Sequence, residues 1–130
     1  MLPPNDVTRQ IVDAAYRIHR HLGPGLLETV YESSIAWELK DRGLHVSQQQ
    51  GIPLLYQNIP MGIAFYADLI VDDQIIVELK SVDAISPVHK RQLLTYLRLA
   101  NKRLGLLINF NVLLIRDGIT RIANGLPESA

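Results

Sequence analysis

The segment Ala67-Asp68-Leu69-Ile70-Val71-Asp72-Asp73-Gln74-Ile75-Ile76-Val77-Glu78-Leu79-Lys80 constrains the fold more than any other stretch of the chain. Two runs rich in β-branched residues flank a polar turn, which predicts a hairpin. Side chains alternate faces along a strand, so the register decides which residues meet. If Val71 pairs with Ile75, then Ala67, Leu69 and Val71 share a face with Ile75, Val77 and Leu79. That face is wholly apolar and is expected to be core. The opposite face holds Ile70 beside Ile76, Asp68 across from Glu78, and Lys80 two residues on. A slip by one residue would place Asp68 among the aliphatics, where an unpaired charge costs several kcal/mol.

The favoured register therefore sets two carboxylates opposite each other, with β-carbons about 5 Å apart, where like charges repel. Two arrangements relieve the repulsion, and bare chemistry leaves them level. Lys80 could close a structural ion pair. A divalent cation could serve instead, since Mg²⁺ takes one or two carboxylates, waters and phosphate oxygens. A lysine beside such an ion can orient or help deprotonate an attacking water.

Around this hairpin the periodicities predict one α/β domain spanning residues 1–130, in the order α-α-β-β-β-α-β. Val7, Ile11, Ala14, Ile18 and Leu22 recur at helical spacing over roughly residues 6–22, and Gly23-Pro24-Gly25 ends that helix. A second helix is expected from about Leu26 to Arg42, with Leu27, Val30, Tyr31, Ser34, Ile35 and Leu39 inward. Extended runs follow at His45–Gln50, Ile52–Gln57 and Ala64–Val71, the first two irregular or at an edge because of Pro53 and Pro60. Ser86-Pro87 opens a long helix to about Lys102; Leu104–Asn109 is a strand and Val112–Arg116 a candidate one. Residues 1–5 and 126–130 are expected to be flexible. At 130 residues and 48% hydrophobic content, the chain can build its core without disulfides or a structural metal.

Composition removes several chemistries. The chain has no cysteine, which excludes a zinc knuckle, an iron–sulfur centre and a thiol nucleophile, and suits a reducing cytoplasm. There is no P-loop, no nucleophile-elbow serine and no His-Glu-x-x-His pattern. No apolar run approaches a membrane span, and Met1-Leu2-Pro3-Pro4 does not read as a signal peptide. Thirteen basic and thirteen acidic residues cancel, but they are segregated. Ser86–Arg103 carries Lys90, Arg91, Arg98, Lys102 and Arg103 without an acid, and Arg9–His21 holds five basic or histidine side chains against Asp13. Basic helices flanking an acidic centre suit a phosphodiester substrate, though two solvated helix faces would look the same.

At these residues the chain resembles a known family. Asp68 followed by Glu78-Leu79-Lys80 looks like the Asp…Glu-x-Lys signature of the PD-(D/E)XK nuclease superfamily. Gly25-Leu26-Leu27-Glu28-Thr29-Val30-Tyr31 matches the Gly-x-x-Glu-x-x-Tyr motif of its GxxExxY family, and Gln92-Leu93-Leu94-Thr95-Tyr96 resembles the Gln-x-x-x-Tyr motif of RecB-like nucleases. The resemblance implies a restriction-endonuclease-like core, α-β-β-β-α-β, a mixed sheet flanked by helices with one extra N-terminal helix. It implies a metal-dependent nuclease, acting on DNA first of all. Asp68, Glu78, the carbonyl of Leu79, and Glu28 would bind Mg²⁺ or Mn²⁺. Lys80 would position the water, and Gln92 and Tyr96 would orient substrate or lysine. Lys90 and Arg91 would meet the nucleic-acid backbone. Each has a plainer alternative: Glu28 as a helix-dipole acid, Tyr31 as packing, and Gln92, Tyr96 and His89 as surface. His19 and His21 point different ways and are expected to be solvated or to touch phosphate, outside the catalytic set, and Trp37 is expected to lie at a core edge. The rival function is an inactive nuclease fold that binds nucleic acid or a protein partner; a homodimer would add grip to so small a domain.

Overall fold

The structure, a computed structural model, describes residues 2–125. Helix α1 (Pro4–Leu22) starts on a proline at its first turn and ends in His19, Arg20 and His21, where the Arg20 cation is favoured by the helix dipole. Helix α2 (Glu28–Asp41) follows, then strands β1 (Val46–Tyr56), β2 (Ile59–Val71) and β3 (Ile75–Lys80). Helix α3 (Pro87–Ala100) leads to β4 (Leu104–Asn109), and a 3-10 turn at Ile115–Gly118 feeds β5 (Ile119–Ala123). The five strands lie in chain order, antiparallel except for β3 beside β4, which the α3 crossover makes parallel. The result is a mixed sheet between two helical layers, the α/β architecture expected.

Each face of the sheet has its own core. On one side Val7, Ile11, Ala14 and Ile18 of α1 and Tyr31, Ile35 and Leu39 of α2 pack on Leu69, Val71, Ile75, Val77 and Leu79. On the other, Leu93 and Leu97 of α3 cover Phe65, Ala67, Ile70, Ile76 and Leu107. Residues Ile75–Glu78 and Leu79 of β3 are all buried, as a central strand covered on both faces requires. The hairpin register is the one the apolar pattern demanded: Val71 pairs with Ile75, Ile70 with Ile76 and Leu69 with Val77. Asp72 and Asp73 supply the turn with positive φ, closed by Gln74 N–H donating to the Val71 carbonyl. The face assignment departs from expectation at Ala67, which packs with Phe65 and Ile70 rather than with Leu69.

Several local readings need correction. The runs around Gln50 and Leu55 are one edge strand, broken in register at Pro53, and Gln57-Asn58 in left-handed geometry turns it into β2. Val112–Ile115 is not a strand. Val112 gives its carbonyl to His19 Nε2 at 2.8 Å, Leu113 and Leu114 are exposed, and Ile115 is buried at the start of the 3-10 turn; β5 pairs with β4 instead. His19 is thereby buried against Phe110 rather than solvated. Leu27 precedes α2 and is exposed with Val30, Trp37 faces solvent, and Ala36 and Glu38 take inward positions. At the termini, Pro4 and Asn5 belong to α1 and the Leu2 carbonyl accepts from Gln74, while residues 126–130 lie outside the described residues.

The 3-10 turn docks so closely that a β-carbon on Gly118 would collide with the Asn109 carbonyl oxygen. Gly118→Ala is expected to destabilise the fold by about 1–3 kcal/mol, the usual cost of overpacking. A chemical-denaturation midpoint that falls at constant slope is the measurement.

Candidate active site

The β2–β3 ladder stops at Leu69 and Val77, one pair short of Asp68 and Glu78. Beyond that point side chains take over from the backbone. The Asp68 N–H donates to Glu78 Oε1 at 3.3 Å, and the Leu79 N–H donates to Asp68 Oδ2 at 2.9 Å. The two carboxylates are thus woven into the strand ends, with Asp68 half-buried and Glu78 buried. Glu78 and Lys80 are two residues apart on one strand and share a face.

Burial pushes the Glu78 carboxyl up to about 9, and the neighbouring Asp68 charge and hydrogen bonding to its carboxylate push the same way. The Asp68 N–H and the Lys80 ammonium oppose this and are outweighed. Glu78 therefore holds a proton near neutrality. Among the described residues Lys80 forms no ion pair within 4.0 Å, so the structural salt bridge is not the arrangement adopted. Repulsion between the acids is met by a proton and backbone N–H groups. A divalent cation could replace that proton: two carboxylates and an adjacent carbonyl are hard oxygen donors of the kind Mg²⁺ accepts.

The other predicted residues arrive from the flanking layers. Tyr96 of α3 stacks on Phe65 with ring centroids 3.7 Å apart, and burial, then Glu78 and Asp68, raise its hydroxyl pKa. Its hydroxyl therefore lies within the field of the pair. Gln92, one turn earlier, is exposed, as are Lys90 and Arg91. Ser86 and His89 close a capping box at the start of α3, which gives His89 a structural role. Glu28 is exposed at the first turn of α2 and accepts from the Ser81 N–H at 3.3 Å, beside the end of β3. Among the described residues no group of three or more acidic or histidine side chains is arranged to hold a metal, so Asp68 and Glu78 form a pair and Glu28 stands at its rim. Tyr31 is a packing residue. Its hydroxyl donates to the Gly23 carbonyl at 2.6 Å and accepts from the Leu26 N–H, and its ring stacks on Phe110. It thereby pins the turn, left-handed at Gly25, that launches Glu28 toward the strand end.

Two side chains at this centre escaped sequence reasoning. Gln49 lies opposite Asp68 on β1 with φ of 50°, a left-handed conformation costing an ordinary residue roughly 1–2 kcal/mol. Its Nε2 donates to Asp68 Oδ1 at 3.0 Å and to Glu32 Oε1 at 2.7 Å. Only the Gln48-Gln49-Gln50 run, unusual for a strand, hinted at this. One surface groove, between α1 and α2, holds Arg17, His21 and Trp37, and another, lined by Glu28, holds Leu26, Thr29 and Ser81.

The family model of the PD-(D/E)XK nuclease superfamily matches residues 5–122. The chain belongs to this superfamily. Membership supports a nuclease-type function in general, and the superfamily's enzymes generally use divalent metals such as Mg²⁺. The mixed five-stranded sheet with three helices agrees with its restriction-endonuclease-like fold. No curated protein and no solved structure matches the chain. No helix among the described residues is long and apolar enough to cross a membrane.

The Glu78 proton has a measurable consequence. Below the ordinary carboxyl value of 4.5 folded and unfolded chains both hold it; between there and about 9 only the folded chain does. Stability in chelator should therefore fall as pH rises through that window, because the unfolded state binds fewer protons. Melting curves of the parent and Glu78→Gln, which keeps a neutral group of the same shape, should converge at low pH. The parent should lose ground to the variant as pH approaches 9.

Proposed function

We propose that this protein is a metal-dependent phosphodiesterase cleaving nucleic acid, with DNA as the expected substrate, and that it is of the GxxExxY type. The observation that carries this reading is the buried Glu78 carboxyl set against Asp68, with Lys80 on the same strand face. Mg²⁺ or Mn²⁺, when bound, lowers the pKa of a coordinated water and polarises the scissile phosphate. Asp68, Glu78 and the Leu79 carbonyl are the residues that would hold it, with Glu28 contributing from the strand end. Glu78 must shed its proton to do so, which couples binding to pH.

Lys80 carries its ammonium without an acidic partner among the described residues, leaving it able to orient a water or offset charge developing on phosphate. Tyr96 and Gln92 would steady a phosphate oxygen from α3. Lys90 and Arg91, exposed near the start of the same helix, would meet the backbone without reading bases. The basic character of α1 contributes less than its sequence suggests, because Arg9 pairs with Asp6 and Arg17 with Glu38.

A second reading, a binding module without catalysis, draws on the β1–β2 hairpin. It runs on past β3, has no acidic or basic residue from Val46 to Ala67, and exposes Leu55, Tyr56, Ile59, Met61 and Ile63. Such a surface suits a protein contact, including a homodimer, better than a phosphate backbone. One assay separates the readings: purified protein, single- and double-stranded DNA and RNA, and Mg²⁺, Mn²⁺ or chelator. Metal-dependent cleavage should fall about 10²–10³-fold in Lys80→Ala and in Asp68→Asn, the scale of losing one transition-state stabiliser. Binding without cleavage favours the module, and cleavage unchanged in both variants places the activity elsewhere. Lys90→Ala with Arg91→Ala should lower the salt slope of binding by roughly one per lost phosphate contact.

A further inference from the structure

We propose that Gln49 is a positioning residue of this centre, aiming the Asp68 carboxylate from an anchor on Glu32. The inference rests on Asp68 being a metal ligand, and it adds two residues to the machinery, one from the edge strand and one from α2.

Three observations carry it. First, the left-handed backbone at Gln49 does not come from an inserted residue. Gln48 pairs with Leu69 and Gln50 with Ala67, so the register is the same on both sides and only the position opposite Asp68 drops out. The faces do change across it: Val46 and Leu69 lie in one core, Ile52 and Ala67 in the other, so both strands turn over beside Asp68. A left-handed residue other than glycine persists only where its surroundings hold it, and here they include the two carboxylates its amide bonds.

Second, neighbouring residues of a regular strand point to opposite faces. Yet the amides of both Gln48 and Gln49 reach Glu32, at 3.2 and 2.7 Å. The departure at Gln49 allows its side chain to join its neighbour's on α2 while still touching Asp68.

Third, the chemistry of the contact suits orientation rather than neutralisation. Both partners of the Gln49 amide are carboxylates, so the NH₂ end must face them. One Asp68 oxygen accepts from Gln49 and the other from the Leu79 N–H, which fixes the carboxylate plane. Neither donor carries a charge, so Asp68 keeps its full attraction for a cation. An arginine or lysine in place of Gln49 would compete with that cation. Ligand carboxylates held in this way lose about 10–100-fold in metal affinity when the holding group is removed.

The test uses the full chain and Mn²⁺ titrated by calorimetry, without nucleic acid, beside thermal melting in chelator. Gln49→Gly removes the amide but suits the left-handed backbone, so its melting temperature in chelator should equal or exceed the parent's. Its Mn²⁺ affinity should fall about tenfold or more, and Glu32→Ala should shift affinity in the same direction. Unchanged affinity in Gln49→Gly overturns the proposal, as does a loss of melting temperature with affinity intact. Asp68→Asn separates this failure from failure of the underlying reading. Mn²⁺ binding that needs Asp68 but not Gln49 sinks the positioning role alone; a parent that binds no Mn²⁺, or binds it equally well in Asp68→Asn, sinks both.

Discussion

Two acids set where a β-ladder ends govern this structure. The strands carrying Asp68 and Glu78 pair no further than Leu69 and Val77, and beyond that point each carboxylate accepts a backbone N–H, from Leu79 and from Asp68. The acids are therefore part of the sheet's own hydrogen bonding as well as candidate ligands. That double employment explains how a buried glutamate survives here. Its desolvation is offset by a retained proton and a backbone donor, at a position where aliphatics hold the rest of the strand in the core.

The flanking layers are arranged around that pair. From one side Tyr31 anchors the turn that brings Glu28 to the strand end; from the other Tyr96 lies on Phe65 within the field of both acids. Charges divide accordingly. The cations of α1 and Arg42 are largely spent on Asp6, Asp13 and Glu38, whereas Lys90 and Arg91 on α3 remain exposed. The basic helix nearest the acids along the chain is the one that directly follows them.

The hairpin and its acids were legible in sequence because a period of two leaves one workable register for Leu69, Val71, Ile75 and Val77. The first and third helices were legible through periodicity and the Ser86-Pro87 start. β5 was not: the apolar run Val112–Ile115 is the stronger strand signal locally. Only tertiary contacts, His19 with the Val112 carbonyl and Gly118 against Asn109, turn that run into a link. Gln49 and Glu32 were hidden for a different reason. A left-handed residue inside a strand swaps the faces of the residues beyond it, so Val46 and Ile52, which strict alternation would put together, lie in opposite cores, and only the glutamine run hints at where the swap occurs. Glu32 sits one residue past Tyr31 and becomes relevant only once β1 lies alongside α2.

The strands occupy the sheet in the order in which they are made, each beside its predecessor. Contacts that close short loops form quickly and at small entropic cost. Asp68 and Glu78, ten residues apart on one hairpin, can meet before α3 or β4 has been laid down. In such an assembly sequence the acidic pair is an early and local event, and the cations and aromatic ring that frame it are added afterwards by the one long crossover in the chain.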